Sequence, residues 1–551
     1  MRIAVLSNIT VDSLIRSLDK TNEVYLNEGY GMWVQELTNP DSSFHTFQSD
    51  CTFLLLDGDE LVGNSLIYED VISEMDKYIG YIKGYLNKNP DRILFVSNLD
   101  IPLRRIQSVK EDRLERKLEY YWLERLSELN KLHERLFIYD LKQIVEEIGR
   151  SQFYSAKMWY LGGMKFSRAA EAAILKEMLL MIKALQGNKK KCIVIDLDNT
   201  LWGGVVGEDG IKGIELSDFK EGARYKDFQK RLKEINDLGI ILAVASKNNL
   251  SDVLEVFRQH KQMILSEENF VSMKVNWKDK FENITELIDE LNIGPDSMVF
   301  IDDNPIERGQ MKAAISEVEV PEFPVDTSKL EGFITEIYKT HFVTISVSSE
   351  DKKKTEMYRG NAERKKDLQQ AGSLEQFLSN LNMKITIWQA QHADVPRIVQ
   401  LVQKTNQFNL TTKRYTESDL IEFITSAEYT VYVFALCDKF GDNGTVGMII
   451  LKHIDHECVE IDSFLMSCRV MGRKVEEQVI EFVEKTFKSN GYTFLKATYM
   501  KTQKNNPVEK LFDVLNYELY RIDDAGNKYY KLALKELPPL ARSSYAEMRI
   551  V

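Results

Sequence analysis

The sequence predicts an α/β protein of three domains, and three observations predict it. Short apolar runs recur along the chain between amphipathic stretches of helical spacing, the pattern of strands alternating with helices. Three of the runs in the middle of the chain end in clustered polar residues, as buried parallel strands do where a sheet presents its chemistry. Two polar, charged stretches, at 187–191 and 346–354, interrupt the pattern and set domains at 1–187, 188–345 and 346–551.

The first domain offers strands at 3–6, 52–56, 93–96 and 136–139, with a long amphipathic helix over 112–135. This order suggests a parallel, flavodoxin-like sheet. Ser7 stands at the end of its first strand and Asn98 follows its third.

The second domain opens on Ile193-Val194-Ile195-Asp196-Leu197-Asp198-Asn199-Thr200. In an extended chain residues i and i+2 share a face, so Asp196 and Asp198 would reach one ligand near the strand end. Two anions there repel unless a cation lies between them, and magnesium with a phosphate substrate resolves this. A Gly-rich flap follows, Trp202-Gly203-Gly204-Val205-Val206-Gly207-Glu208-Asp209-Gly210. The next apolar run ends in Ser246-Lys247-Asn248. Lys278 and Lys280 precede a helical pattern at Ile284, Leu287, Ile288 and Leu291, and a third run ends in Asp302-Asp303-Asn304. The segments between these motifs are too short for a separate cap, which needs at least ~50 residues. An open site suits a large or carrier-bound substrate.

The third domain begins with helical residues 351–382 and a strand at 383–389. A helix at 393–404 and strands near 429–436, 445–453 and 458–466 follow. Ser467-Cys468-Arg469-Val470-Met471-Gly472-Arg473-Lys474 then opens an amphipathic helix. Backbone N–H groups at such a helix start can cradle a pyrophosphate.

Four motifs in this order resemble the haloacid dehalogenase superfamily. The stretch 196–210 and the stretch 301–308 look like its FkbH-like family, in which an SGNH-like domain precedes the phosphatase-like domain and a GNAT-like domain follows it. The resemblance implies that Asp196 is the nucleophile and Asp198 the general acid and base. It implies that Thr200 and Ser246 hydrogen-bond the phosphoryl oxygens and that Lys280, with Lys278 as competitor, neutralises the charge. Asp196, Asp198, Asp302 and Asp303 would hold Mg²⁺, Asp303 by direct contact. In the SGNH-like domain Ser7 and Asn98 fit the serine and asparagine positions, but 154–167 contains no histidine, so that domain is expected to be non-catalytic. In the GNAT-like domain Cys468, Arg469 and Gly472 would meet a pantetheine arm, although Lys474 occupies a position where GNAT loops carry a small residue. Cys192 starts the strand that Asp196 ends, about 13 Å away at ~3.3 Å per residue, and reads as a core thiol.

Family members convert 1,3-bisphosphoglycerate to a glyceryl thioester on an acyl carrier protein for polyketide-type biosynthesis. The partners implied are therefore that carrier protein and a small phosphorylated substrate. A stand-alone phosphatase acting on a small sugar or acid phosphate, and a carrier-protein docking scaffold, are the alternative readings. The whole chain agrees with this class. Its 551 residues have a net charge of −13, which argues against nucleic acid or an anionic membrane as partner. Its five cysteines lack metal-ligand or CxxC spacing, so a reduced, cytoplasmic location is expected. No apolar run has the length of a membrane helix, and the N-terminal run is too short for a signal peptide.

Overall fold

In the computed structural model the apolar runs become strands because each is buried on both faces. The structure describes residues 1–551 apart from 19–21, 28, 30, 64, 66, 103–105, 107, 188, 346, 348–353 and 537–544. The chain forms two compact units, 1–182 and 183–551.

The first unit holds β1 (Arg2–Ser7), β2 (Glu23–Leu26), β3 (Cys51–Leu55), β4 (Ile93–Ser97) and β5 (Leu136–Tyr139). They form one parallel sheet in the order β2-β1-β3-β4-β5, a flavodoxin-like arrangement. The helix Leu114–Leu132 buries Leu118, Trp122, Leu126 and Leu129 at spacings of three and four, so one stripe faces the sheet. Its Trp122 indole donates to the Ser97 carbonyl at 3.1 Å, which satisfies the ring nitrogen where the side chain is fully buried.

The second unit contains two sheets. Parallel strands β6 (Cys192–Ile195), β7 (Ile241–Ser246), β8 (Phe270–Val275) and β9 (Met298–Ile301) are ordered β8-β7-β6-β9. Alternate side chains enter two cores: Ile193, Ile195, Leu242 and Val244 on one face, Cys192, Val194, Ala243 and Phe300 on the other. The flap folds back on its own strand. Gly203 pairs with Glu215, and a Cβ on Gly203 would stand 2.7 Å from the Tyr225 ring, so only glycine fits there.

The second sheet is mixed. Its strands are β10 (Met383–Gln389), β11 (Tyr429–Asp438), β12 (Gly441–His453), β13 (Cys458–Met466), β14 (Phe494–Tyr499), β15 (Glu518–Ile522), β16 (Lys528–Ala533) and β17 (Ala546–Ile550). The order is β15-β16-β14-β13-β12-β11-β10-β17. β13 and β14 pair in parallel only from Cys458 with Phe494 to Ile461 with Ala497, and then diverge.

Most of the expected boundary at 346–354 lies outside the described residues. The helix that follows, Lys354–Gln370, serves both sheets of the unit. Its Tyr358 packs in the core of the β6–β9 sheet, and its Arg364 forms a buried ion pair with Asp438 at the end of β11. This helix thus packs against both modules.

Candidate active site

The carboxyl ends of β6, β7 and β9 bring the sequence motifs together. Asp196 follows β6 and its backbone N–H donates to the Ile301 carbonyl at 3.0 Å, which carries the ladder with β9 one residue further. Lys280 is the first residue of the helix Lys280–Leu291, and the helix start aims it under the sheet edge. Its Nζ lies 3.0 Å from Asp196 Oδ2 and 2.6 Å from Asp302 Oδ2. All three side chains are buried. Lys278 does not compete, because its ammonium pairs with Glu286 on the exposed side of that helix at 2.8 Å.

Asp196, Asp302 and Asp303 each offer an oxygen, and these oxygens lie within 4.8 Å of one another. Burial raises the Asp196 carboxyl above its ordinary value, with Lys280 opposing the rise and Asp302 adding to it. Burial likewise raises Asp302, and burial with the neighbouring Asp196 raises Asp303. Burial alone would lower Lys280, but Asp196 and Asp302 outweigh it and hold the ammonium firmly protonated. One lysine thus stands against three carboxylates, and Asp196 Oδ1 is buried with no hydrogen-bond partner among the described residues. A buried, orphaned carboxylate oxygen beside two further carboxylates fits a hard divalent cation with oxygen ligands. Asp302 already spends its oxygens on Lys280 and on the Asn304 N–H, whereas among the described residues the side chain that reaches Asp303 Oδ1 is the Thr200 hydroxyl, at 3.3 Å. Asp303 is therefore the better placed of the two for the ion.

Two expected roles change. The Asp198 side chain does not join the cation cluster. Trp202 Nε1 and the Val206 N–H donate to its Oδ1 at 2.9 and 3.1 Å, and Asn248 Nδ2 donates to its Oδ2 at 2.9 Å. These donors hold the carboxylate between the flap and the loop that follows β7. Thr200 is fully buried, and its hydroxyl donates to Asp303 Oδ1 and accepts from the Asp303 N–H at 3.1 Å. It braces the acidic loop instead of facing a phosphate. Ser246, at the end of β7, lies beside Asp196.

The structure adds Arg308, Asn248 and Trp202, to which sequence reasoning gave no role. The buried Arg308 donates to the carbonyls of Asp302 and Asp303 at 2.9 and 2.7 Å and so fixes the turn that presents both carboxylates. All three stand inside the motif stretches, but their partners are set by how the loops fold back.

The expected acyl site is arranged differently. The extended segment 408–410 enters the gap where β13 and β14 diverge. Leu410 N donates to Phe464 O at 3.1 Å, Met466 N to Phe408 O at 3.1 Å and Met500 N to Leu410 O at 2.8 Å. The buried Asn505 amide donates to Asn409 O at 3.0 Å and locks the segment in place. The backbone groups that an extended pantetheine arm would pair with are therefore occupied by the chain itself. Arg473 turns inward to Asp438 at 3.0 Å, and Lys474 takes a left-handed conformation, with φ 57°. Arg469 lies against Met357 and Ser467, and Gly472 is exposed at φ 78°. The Cys468 carbonyl accepts from Asn292 at 3.2 Å. Asn292 caps the far end of the helix that Lys280 begins, and twelve residues of helix span ~18 Å. Cys468 thus lies at the opposite end of the phosphatase-like sheet from Asp196. Cys192 lies at that end too, fully buried, and burial pushes its thiol far above the ordinary value.

In the first unit Ser7 Oγ accepts from the Ile9 N–H at 3.2 Å, and the Asn98 amide is held by Asp140 and the Lys142 N–H. Lys165, paired with Asp57, Asp59 and Glu60, stands in the segment where a histidine was expected.

No family model and no curated protein sequence matches the chain. Among solved structures it is similar to the N-terminal part of a Bacteroides fragilis protein described as containing a phosphatase domain complexed with Mg. The two are 27% identical, with a TM-score of 0.55, over 63% of this chain and 94% of that one. A putative GNAT-family acetyltransferase from Desulfovibrio desulfuricans matches 27% of this chain and 99% of its own at 12% identity and TM-score 0.24. The putative acetyltransferase YncA of Salmonella typhimurium, solved with acetyl-CoA, matches 29% and 99% at 15% identity and TM-score 0.23. No helix among the described residues is long and apolar enough to cross a membrane. The chain is an α/β protein with two parallel sheets and one mixed sheet, similar over most of its length to a structure that contains a phosphatase domain.

Proposed function

We propose that this chain is a magnesium-dependent phosphohydrolase that works through an aspartyl-phosphate on Asp196. The observation that carries the reading is the buried Asp196 carboxylate, with Lys280 on one oxygen and the other oxygen unpartnered beside Asp303. The Bacteroides fragilis neighbour, described as complexed with Mg, supports the choice of ion. Asp196, Asp303 and, through its loop, Asp302 would hold the magnesium, which supplies positive charge against the transferring phosphoryl group.

The residues divide the work. Asp196 attacks phosphorus in line, and the leaving oxygen departs with a proton from Asp198. Asp198 then takes a proton from water as that water attacks the aspartyl-phosphate. Lys280 holds Asp196 in place and neutralises charge as the phosphoryl group arrives. Ser246 borders the pocket and orients the phosphoryl oxygens. Arg308 and Thr200 keep the acidic loop from relaxing under its own repulsion.

For the substrate we propose 1,3-bisphosphoglycerate, with the glyceryl group loaded as a thioester on an acyl carrier protein, on the FkbH-like resemblance of 196–210 and 301–308. Its C1 acyl phosphate is activated toward a thiol, while its C3 monoester needs the Asp196 machinery. A second reading, a phosphatase for a soluble acid phosphate, is favoured by the filled gap at 408–410 and by the remoteness of Cys468. Incubation with carrier protein and glycolytic phosphates, followed by intact-mass spectrometry and phosphate assay, tests both. A glyceryl adduct on the carrier supports loading; free phosphate alone supports the second reading; no phosphate release with magnesium present overturns the reading of the site.

A further inference from the structure

Asp198 is held by three N–H donors, and their placement on its two oxygens is unequal. Oδ1 accepts two hydrogen bonds, from Trp202 Nε1 at 2.9 Å and from the Val206 N–H at 3.1 Å. A carboxyl oxygen has two in-plane lone pairs, so Oδ1 is saturated. Among the described residues Oδ2 accepts from Asn248 Nδ2 alone, at 2.9 Å. The same amide nitrogen lies 3.2 Å from Ser246 Oγ, which draws Oδ2 toward the Asp196 side of the pocket.

We infer that Trp202 and Asn248 are positioning residues that confine the transferred proton of Asp198 to its Oδ2 oxygen. The inference rests on the phosphohydrolase reading above. A proton on Oδ1 would have to displace the indole or the flap backbone. The indole cannot give way, because Trp202 is fully buried and packs edge-on against Phe257, with centroids 6.1 Å apart. Val206 is the first residue of the flap helix Val206–Gly213, so the flap itself is tied to the orientation of the acid. A proton on Oδ2 displaces nothing: the hydroxyl keeps one lone pair for Asn248 and points its O–H into the half-open pocket.

The two half-reactions then balance on one atom. Oδ2–H gives its proton to the leaving oxygen as the phosphorus–oxygen bond breaks and the Asp196–phosphorus bond forms. Oδ2 next takes a proton from water as the water oxygen bonds phosphorus and the Asp196–phosphorus bond breaks. Phosphate leaves, and Asp198 ends protonated on the oxygen where it began.

A positioning role predicts a dependence on leaving group that a packing role does not. The full chain with magnesium is assayed on p-nitrophenyl phosphate, whose leaving phenolate needs little protonation, and on glycerol 3-phosphate, whose alkoxide needs it fully. Removing the indole donor in Trp202→Phe slows both, and the alkyl ester loses at least a further ~10-fold, within the range of general-acid catalysis. Asn248→Ala shows the same selective loss and carries the test if Trp202→Phe does not fold. Equal losses on the two esters in a folded variant, or no loss, overturn the inference. Failure of the underlying reading looks different: the unaltered chain then hydrolyses neither ester, or Asp196→Asn leaves hydrolysis intact.

Discussion

Replacing Lys280 with methionine removes the ammonium that holds the carboxylate cluster together, and the cost can be worked from distances. Charge pairs at 3.0 and 2.6 Å contribute roughly 5.5 and 6.4 kcal/mol at an effective dielectric of ~20. Two ionised carboxylates no more than 4.8 Å apart repel by roughly 3.5 kcal/mol or more at the same dielectric, and the cluster contains three such pairs. Attraction and repulsion are therefore of similar size, and without the lysine the cluster cannot stay fully ionised. It takes up protons instead, which limits the loss to about 3–5 kcal/mol, the usual range for breaking a buried ion pair. For a module of this size that is a fall in Tm of roughly 6–20 °C at neutral pH in chelator. Magnesium replaces the missing charge, so the fall shrinks in millimolar magnesium by linkage. The assay is thermal unfolding of the unaltered chain and Lys280→Met, each with chelator and with magnesium, beside phosphate release. Activity should fall ~10²-fold or more, because neutralisation of the transferring group is lost. A Tm within ~1 °C of the unaltered chain in chelator, or the same loss with and without magnesium, would refute the reasoning.

Asp196→Asn keeps the shape of the nucleophile but cannot form the acyl phosphate, so phosphate release should stop in a chain whose unfolding curve is retained; turnover in that variant removes Asp196 from its role. Excess chelator should abolish phosphate release and magnesium restore it, as read by a continuous phosphate assay. The folded Asp196 carboxyl is raised, so the folded chain binds that proton more tightly than the unfolded one; in chelator, stability contributed by this group should fall as pH rises through and above the ordinary carboxylate range, and magnesium should flatten the dependence. Arg308→Ala frees the carbonyls of Asp302 and Asp303, and should weaken magnesium activation more than it lowers Tm, measured as the magnesium concentration for half-maximal rate.

The parts of this fold legible in the sequence are those that physics makes locally uniform. β6, β7 and β9 are buried on both faces and read as unbroken apolar runs with chemistry at their ends. The edge strand β2 is mostly half-buried and starts with Glu23, and β8 carries the half-buried polar residues Ser272 and Lys274, so neither showed a strand pattern. Motif spacing favoured Lys280 over Lys278, and the helix register aims the first inward and the second at Glu286. The orientation of Asp198 was not legible. It depends on Trp202 and Asn248 arriving from two loops, which residue types at fixed spacing do not encode. The same holds for Thr200, whose hydroxyl looks like a phosphate ligand until Asp303 comes within reach from 103 positions away.

The C-terminal sheet shows how resemblance can outrun geometry. A turn carrying Arg469 and Gly472 before a helix suggested an acyl-binding loop, yet the gap beside it is filled by 408–410 through hydrogen bonds on both sides. A buried extended segment with its amide partners in place is part of the fold, not a plug waiting to leave, because each unpaired backbone group would cost roughly 1–3 kcal/mol. Cys468 is also separated from Asp196 by the length of the helix that begins with Lys280. A thiol at that position cannot receive a group released at the phosphatase-like edge. In the proposed loading reaction the attacking thiol must therefore belong to the carrier and enter at the open edge where Asp196 lies. Both halves of the substrate would then be handled at one place: the acyl phosphate by the incoming thiol, the monoester by Asp196. This arrangement is at odds with an acyl-enzyme on Cys468. A Cys468→Ser variant should load carrier as the unaltered chain does, and loss of loading in a folded variant would move the acyl site back to the mixed sheet.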